Sequence, residues 1–140
     1  MQTTKQLLPL SEDGKVCHQK VKRWQEYDFM GKLCHYKTVA RYRDGKKHGN
    51  FDSFCNGQIE SSTPYVDGKI HGKQRVWSKS GKLYSFTHYF EGKLHGLHRS
   101  FHIDGEVAWE LRYVHGAIFD EDKFWGIAGE SPASKKQSER

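Results

Sequence analysis

One phrase returns along this chain at a nearly fixed interval. YRDGKKHG occupies residues 42–49, YVDGKIHG residues 65–72 and YFEGKLHG residues 89–96. The first glycines of these copies, with a fourth in YVHGAIFD, are Gly45, Gly68, Gly92 and Gly116, spaced 23, 24 and 24 residues apart. Nine positions after each stands an aromatic: Phe54, Trp77, Phe101 and Trp125. A second glycine follows at Gly57, Gly81, Gly105 and Gly129, and then an aliphatic at Ile59, Leu83 and Val107. Tyr65, Tyr89 and Tyr113 close the copies. So many features in one register define a repeat protein, whose unit is too small to bury a core alone and must stack on its neighbours. YDFMGKL at residues 27–33 is a looser copy of WSKSGKL at 77–83, with an insertion near residues 35–39. Phe119 and Asp120 replace His-Gly after Gly116, as expected of a terminal copy.

Each unit reads as a hairpin. In KQRVWSKSGKLYSFTHYF, two β-rich runs flank a Ser/Gly/Lys turn. Alternation puts Leu83, Ser85, Thr87 and Tyr89 on one face, with Trp77 joining them across the turn. Phe101, Val107, Trp109, Leu111 and Tyr113 are the equivalent set in the next copy, and these aromatics are expected to form the core. Tyr84, Phe86 and Phe90 fall on the other, mostly polar face. The glycines of DGKxHG supply positive φ where one hairpin passes to the next. No segment shows a capped 3.6-residue period, so little helix is expected. The expected fold is all-β, an elongated antiparallel sheet or solenoid of hairpin repeats. The repeat domain spans 13–130, with clear copies over 42–116. Residues 1–12 read as an N-terminal extension and 131–140 as a disordered tail.

Hydrophobic content of 35% beside 14% aromatics suits a thin repeat core. The chain shows no secretory signal and no long apolar run, which points to a soluble cytoplasmic protein. Cys17, Cys34 and Cys55, with no CxxC, read as free thiols. The formal charge of +6 favours an acidic partner, though Lys135, Lys136 and Arg140 of the tail supply part of it.

Candidate binding residues come from the repeat itself. Lys46 with His48, Lys69 with His71, and Lys93 with His95 recur in register and are expected to project along one edge. That row is either solvated turn surface, with each His packed on the following strand and only the lysines in water, or a rail for phosphates. Tyr84 and Phe86 are the candidates for an exposed aromatic patch that binds a partner. Histidines one repeat apart are too far separated to share a metal ion, so no metal site is expected. No P-loop, GxSxG, HExxH or GxGxxG occurs, so neither catalytic residues nor a cofactor are expected. Nucleic acid is a weaker expectation, since no recognition helix or base-stacking motif stands out.

The pattern YxDGKxHGxxxxFxxxG resembles MORN repeats (membrane occupation and recognition nexus). Its DGKxHG wording is closest to the second MORN subtype, found in the YwqK-like antitoxin-related family of bacteria and in large DNA viruses. The resemblance covers 42–116 well, and 24–41 and 117–129 loosely. It implies hairpin repeats and non-enzymatic binding. Family members are linked variously to protein partners, lipid headgroups, dimerisation and toxin neutralisation. The expectation is therefore a protein-binding module, an adaptor, assembly component or neutralising partner. An anionic-lipid binder using the turn row is the alternative, and a homo-oligomer is among the expected assemblies. A viral source would place the protein in the virion or the host cell.

Overall fold

The computed structural model describes residues 2–9 and 14–119; Trp125, Gly129 and the tail lie outside the described residues. Twelve antiparallel strands form one sheet, and no helix occurs among the described residues. In chain order they are β1 (Gln2–Leu8), β2 (Cys17–Tyr27), β3 (Leu33–Arg43), β4 (Lys46–Lys47), β5 (Gly49–Cys55) and β6 (Gln58–Val66). Then follow β7 (Lys69–Ile70), β8 (Gly72–Trp77), β9 (Leu83–Phe90), β10 (Lys93–Phe101), β11 (Val107–Val114) and β12 (Ala117–Ile118). The order β1-β2-β3-β5-β6-β8-β9-β10-β11-β12 is a meander, with β4 on β3 and β7 on β6. The two short strands are the beginnings of β5 and β8, set off by His48 and His71. Their counterpart in β10 is part of one continuous strand, whose pairing with β9 is likewise irregular between Leu94 and His98.

Turn chemistry builds this path. Asp44-Gly45, Asp67-Gly68, Glu91-Gly92 and His115-Gly116 each place two residues at positive φ, from 47° to 87°. The flanking pairs Arg43↔Lys46, Val66↔Lys69, Phe90↔Lys93 and Val114↔Ala117 close two-residue hairpins, and this backbone twist suits such tight loops. At the opposite ends of the hairpins, Gly81 N–H donates to Ser78 O and Ser78 N–H to Lys82 O, at 2.9 and 2.8 Å. Gly105 with His102, and Gly31 with Asp28, repeat that loop, so the looser N-terminal copy is a true one. The turn at Gly57 differs. Asn56 and Gly57, at φ of 50° and 82°, make a two-residue turn between Cys55 and Gln58. That loop is one residue shorter, which accounts for the 23-residue first interval.

The two faces differ from the simple alternation read in the sequence. The register shifts between Ser53 and Phe54, between Val76 and Trp77, and between Ser100 and Phe101. Each is a bulge of one extra residue on the facing strand, at Glu60, Tyr84 and Ala108. Following the pairs across the sheet, Tyr42, Tyr65, Tyr89 and Tyr113 share one face, the tyrosine face. The row Asp52↔Ser62↔Arg75↔Phe86↔Arg99↔Glu110 lies on the other, the arginine face. Phe54, Trp77 and Phe101 stand two residues after Asp52, Arg75 and Arg99 and share the arginine face with them. Phe101 accordingly meets Phe86, with ring centroids 5.9 Å apart. Trp77 and Phe101 therefore do not join the tyrosines, contrary to the sequence expectation.

Among the described residues the sheet is a single layer. Only Cys34, Ala40 and Phe86 are buried apolar residues, joined by Ser62, Thr63, Thr87 and Ser100. Cross-strand pairs therefore carry the stability rather than an enclosed core. On the arginine face Arg41 holds Asp52 at 2.8 Å, and Ser62 Oγ donates to the same carboxylate at 2.6 Å. On the tyrosine face His18 stacks on Tyr42 at 4.8 Å, and Trp24 on Tyr36 at 5.5 Å.

Residues 2–8, read as an extension, pair along their whole length with β2 and belong to the same sheet. The cause is the insertion in β3. It lengthens β2 and β3 into an eleven-residue pair, which leaves a long edge open to one more strand.

Candidate functional site

The repeated turns form one end of the sheet. Gly68 N–H donates to Lys47 O, Gly92 N–H to Ile70 O and Gly116 N–H to Leu94 O, each at 2.8 Å. Each hairpin turn thus hangs from the preceding repeat. The histidines complete this linkage. His48 Nδ1 accepts Asp67 N–H at 3.3 Å, His71 Nδ1 accepts Glu91 N–H at 3.2 Å, and His95 Nδ1 accepts His115 N–H at 3.3 Å. An accepting Nδ1 leaves the ring proton on Nε2. His48, His71 and His95 are half-buried and hold the next turn, which matches the reading that leaves only the lysines in water. Rings continue the ladder: Phe90 lies between His71 and His95, 5.0 and 5.8 Å away, and His95 meets His115 at 5.0 Å.

Lys46, Lys69 and Lys93 are exposed, one per turn. Lys46 Cβ lies 3.9 Å from the open side of Gly68, and Lys69 Cβ the same distance from Gly92, so each stem covers the next turn. The row is not purely cationic. Asp67 bonds Arg43 at 2.9 Å and lies 3.7 Å from His48. The hydrogen bond from Arg43 first, and then the charges of Arg43, His48 and Lys15, outweigh desolvation and lower the Asp67 carboxyl pKa. A shallow groove here is lined by Lys46, Asp67, Lys69 and Glu91, with Val66 and His71. An anion on this edge meets carboxylates between the lysines.

The aromatic candidates part company. Tyr84, the bulge residue, is 55% exposed, whereas Phe86 is 7% exposed. Lys73 Nζ sits 4.0 Å above the Phe86 ring, Arg99 flanks it at 5.6 Å, and Phe101 and His88 touch its edges. Alternation alone gave Phe86 an open face. The long cationic side chains of β8 and β10 close it, so Phe86 is structural and leaves the candidate patch.

Other residues gain significance. Trp109 and Leu111, expected in the core, are 47% and 36% exposed on β11, the last long strand described. Trp109 stacks on His98 at 4.7 Å, and His98 Nδ1 meets Thr87 Oγ1. Burial lowers the His98 pKa. Tyr89 lies within electrostatic reach of Tyr113 and Tyr65, and its phenol pKa is raised, chiefly by burial. Cys34, Tyr36 and Cys55 cluster at β3–β5, where burial raises the Cys55 thiol and the Tyr36 phenol. Among the described residues no group of three or more His, Cys, Asp or Glu is arranged to hold a metal ion.

Comparison with known proteins finds no matching family model, no matching curated protein and no matching solved structure.

Proposed function

We propose that the chain is a non-enzymatic repeat module of MORN type whose open sheet docks another protein, as an adaptor, assembly component or neutralising partner. The observation that carries this reading is the row of exposed apolar side chains on the tyrosine face of β11 and β12: Trp109, Leu111 and Ile118. Contiguous apolar surface of this kind is characteristic of interaction sites. A Trp beside a rigid strand is also a favoured anchor in such interfaces. The test is site-specific photo-crosslinking in cells that express the protein, with the probe at position 109 and, separately, at position 44. One stoichiometric protein adduct from position 109 alone supports the reading. Adducts of equal yield from both positions, or none from 109, oppose it.

The exposed lysine of each turn favours a second reading, attachment to an anionic lipid surface. Such attraction is screened beyond a Debye length of about 8 Å at physiological salt. Liposome co-sedimentation at low salt, comparing wild type with Lys46/Lys69/Lys93→Ala, separates the two. Equal sedimentation of both proteins rejects the lysine row as the lipid contact.

A further inference from the structure

Four residues stand side by side across β1, β2, β3 and β5 on the arginine face. Gln2 is opposite Arg23, Arg23 is opposite Lys37, and Lys37 is opposite Phe54. Like charges directly opposite one another in a sheet are destabilising. Elsewhere on this face three arginines are neutralised, Arg41 by Asp52, Arg43 by Asp67 and Arg99 by Glu110, while Lys73 lies over Phe86 and Arg75 stands exposed with no like charge opposite it. Among the described residues neither Arg23 nor Lys37 has an ion-pair partner. Lys37 Nζ is instead held 4.4 Å above the Phe54 ring, which fixes the ammonium at the surface beside Arg23.

Gln25 and His35 form the next pair along the same face. Gln25 Nε2 donates to His35 Nδ1 at 3.0 Å, which leaves the imidazole proton on Nε2, free to donate. These side chains line one groove of about 620 Å³, to whose wall Phe54 and Gly57 also contribute.

From this juxtaposition we propose that the groove between β1 and β5 is a binding site for a phosphomonoester. Arg23 and Lys37 supply two positive charges, matching the charge of about −2 on the ester near neutral pH. The guanidinium offers a planar fork of donors to phosphate oxygens, and the ammonium a compact charge beside it. His35 Nε2–H and the Gln2 amide add neutral donors at the rim. The site lies on the arginine face near the N-terminal edge, apart from the turn lysines and from β11. It stands independently of the protein-docking surface.

The test uses the full chain, nitrogen-labelled, titrated by NMR at constant ionic strength with inorganic phosphate and with phosphoserine. Saturable shifts confined to amides near Gln2, Arg23, His35 and Lys37 are expected. Arg23→Gln and Lys37→Gln each weaken phosphoserine binding about tenfold or more, the effect of losing one charge-assisted hydrogen bond. Arg75→Gln, which removes an exposed cation of the same face outside the groove, leaves binding unchanged. Arg23→Gln also raises the melting temperature without phosphate, because it relieves the facing charges. A second arm uses phosphatidylcholine vesicles containing phosphatidylinositol monophosphate. Arg23-dependent vesicle binding without a phosphoserine response assigns the phosphate to a lipid headgroup, whereas a phosphoserine response assigns it to a soluble ester. Absence of saturable shifts together with absence of Arg23-dependent vesicle binding overturns the proposal. So does equal weakening by Arg75→Gln.

Discussion

His71 Nδ1 receives the backbone N–H of Glu91 at 3.2 Å, across the boundary between one repeat and the next. Glu91 sits at φ 47°, a conformation uncommon for such a residue, and the imidazole helps to hold it there. His71→Ala removes the acceptor and its packing on Phe90, and is expected to cost about 1 kcal/mol in urea denaturation. An unchanged midpoint would remove the histidine from the linkage between turns.

The exposed Tyr84 and the covered Phe86 are two residues apart on one strand. Phe86→Ala leaves Lys73 and Phe101 without the surface they cover and is expected to cost about 3 kcal/mol. Tyr84→Ala is expected to stay within about 0.5 kcal/mol, as at most surface positions. Chemical denaturation of the two variants checks this, and comparable losses would return Phe86 to the exposed set.

Gly96 and Gly105 have similar backbones, with φ of 99° and 91°. A side chain at Gly96 would meet His88 Cβ at 3.2 Å, whereas one at Gly105 would meet open space. Alanine at either position pays for the unfavourable conformation, about 1–2 kcal/mol. At Gly96 it must also displace His88. Gly96→Ala is therefore the more destabilising in thermal melts, and equal losses would show that His88 yields freely.

Burial lowers the His98 pKa below the ordinary imidazole value of 6.5. Between the folded value and 6.5 the unfolded chain binds more protons than the folded one, so stability rises with pH across that window. The contribution is complete above 6.5 and is lost as the pH falls toward the folded value. Urea midpoints of wild type should thus fall more steeply than those of His98→Gln on acidification from neutral pH. Parallel slopes would show that His98 titrates alike in both states.

The turns were legible in the sequence because positive φ leaves a mark: Asp-Gly, Asn-Gly and the glycine of His-Gly stand where the backbone demands them. The faces were less so. A bulge inserts one residue without altering composition, so Tyr84 looks like any strand residue while it moves Leu83 away from the face of Ser85 and Thr87 to lie opposite Trp77. The burial of Phe86 depends on Lys73 and Arg99, cations whose stems lie flat over the ring, and a pattern of apolar and polar letters does not show that. Arg23 and Lys37 escaped notice because they become neighbours only through the pairing of β2 with β3. The tyrosine ladder emerged as read, whereas β1 has no repeat signature and owes its place to the long edge of β2.

Because each turn takes its carbonyl and imidazole acceptors from the unit before and offers the same pair to the unit after, the boundaries between units are interchangeable. Excising residues 69–92 would join Gly68 to Lys93, a junction with the same chemistry on both sides. Gene duplication or deletion of one unit would therefore change the length of the sheet without creating an orphaned backbone group at the seam. The fold behaves as a ruler: the distance between whatever binds its two ends can be reset in whole units, leaving either end as it was.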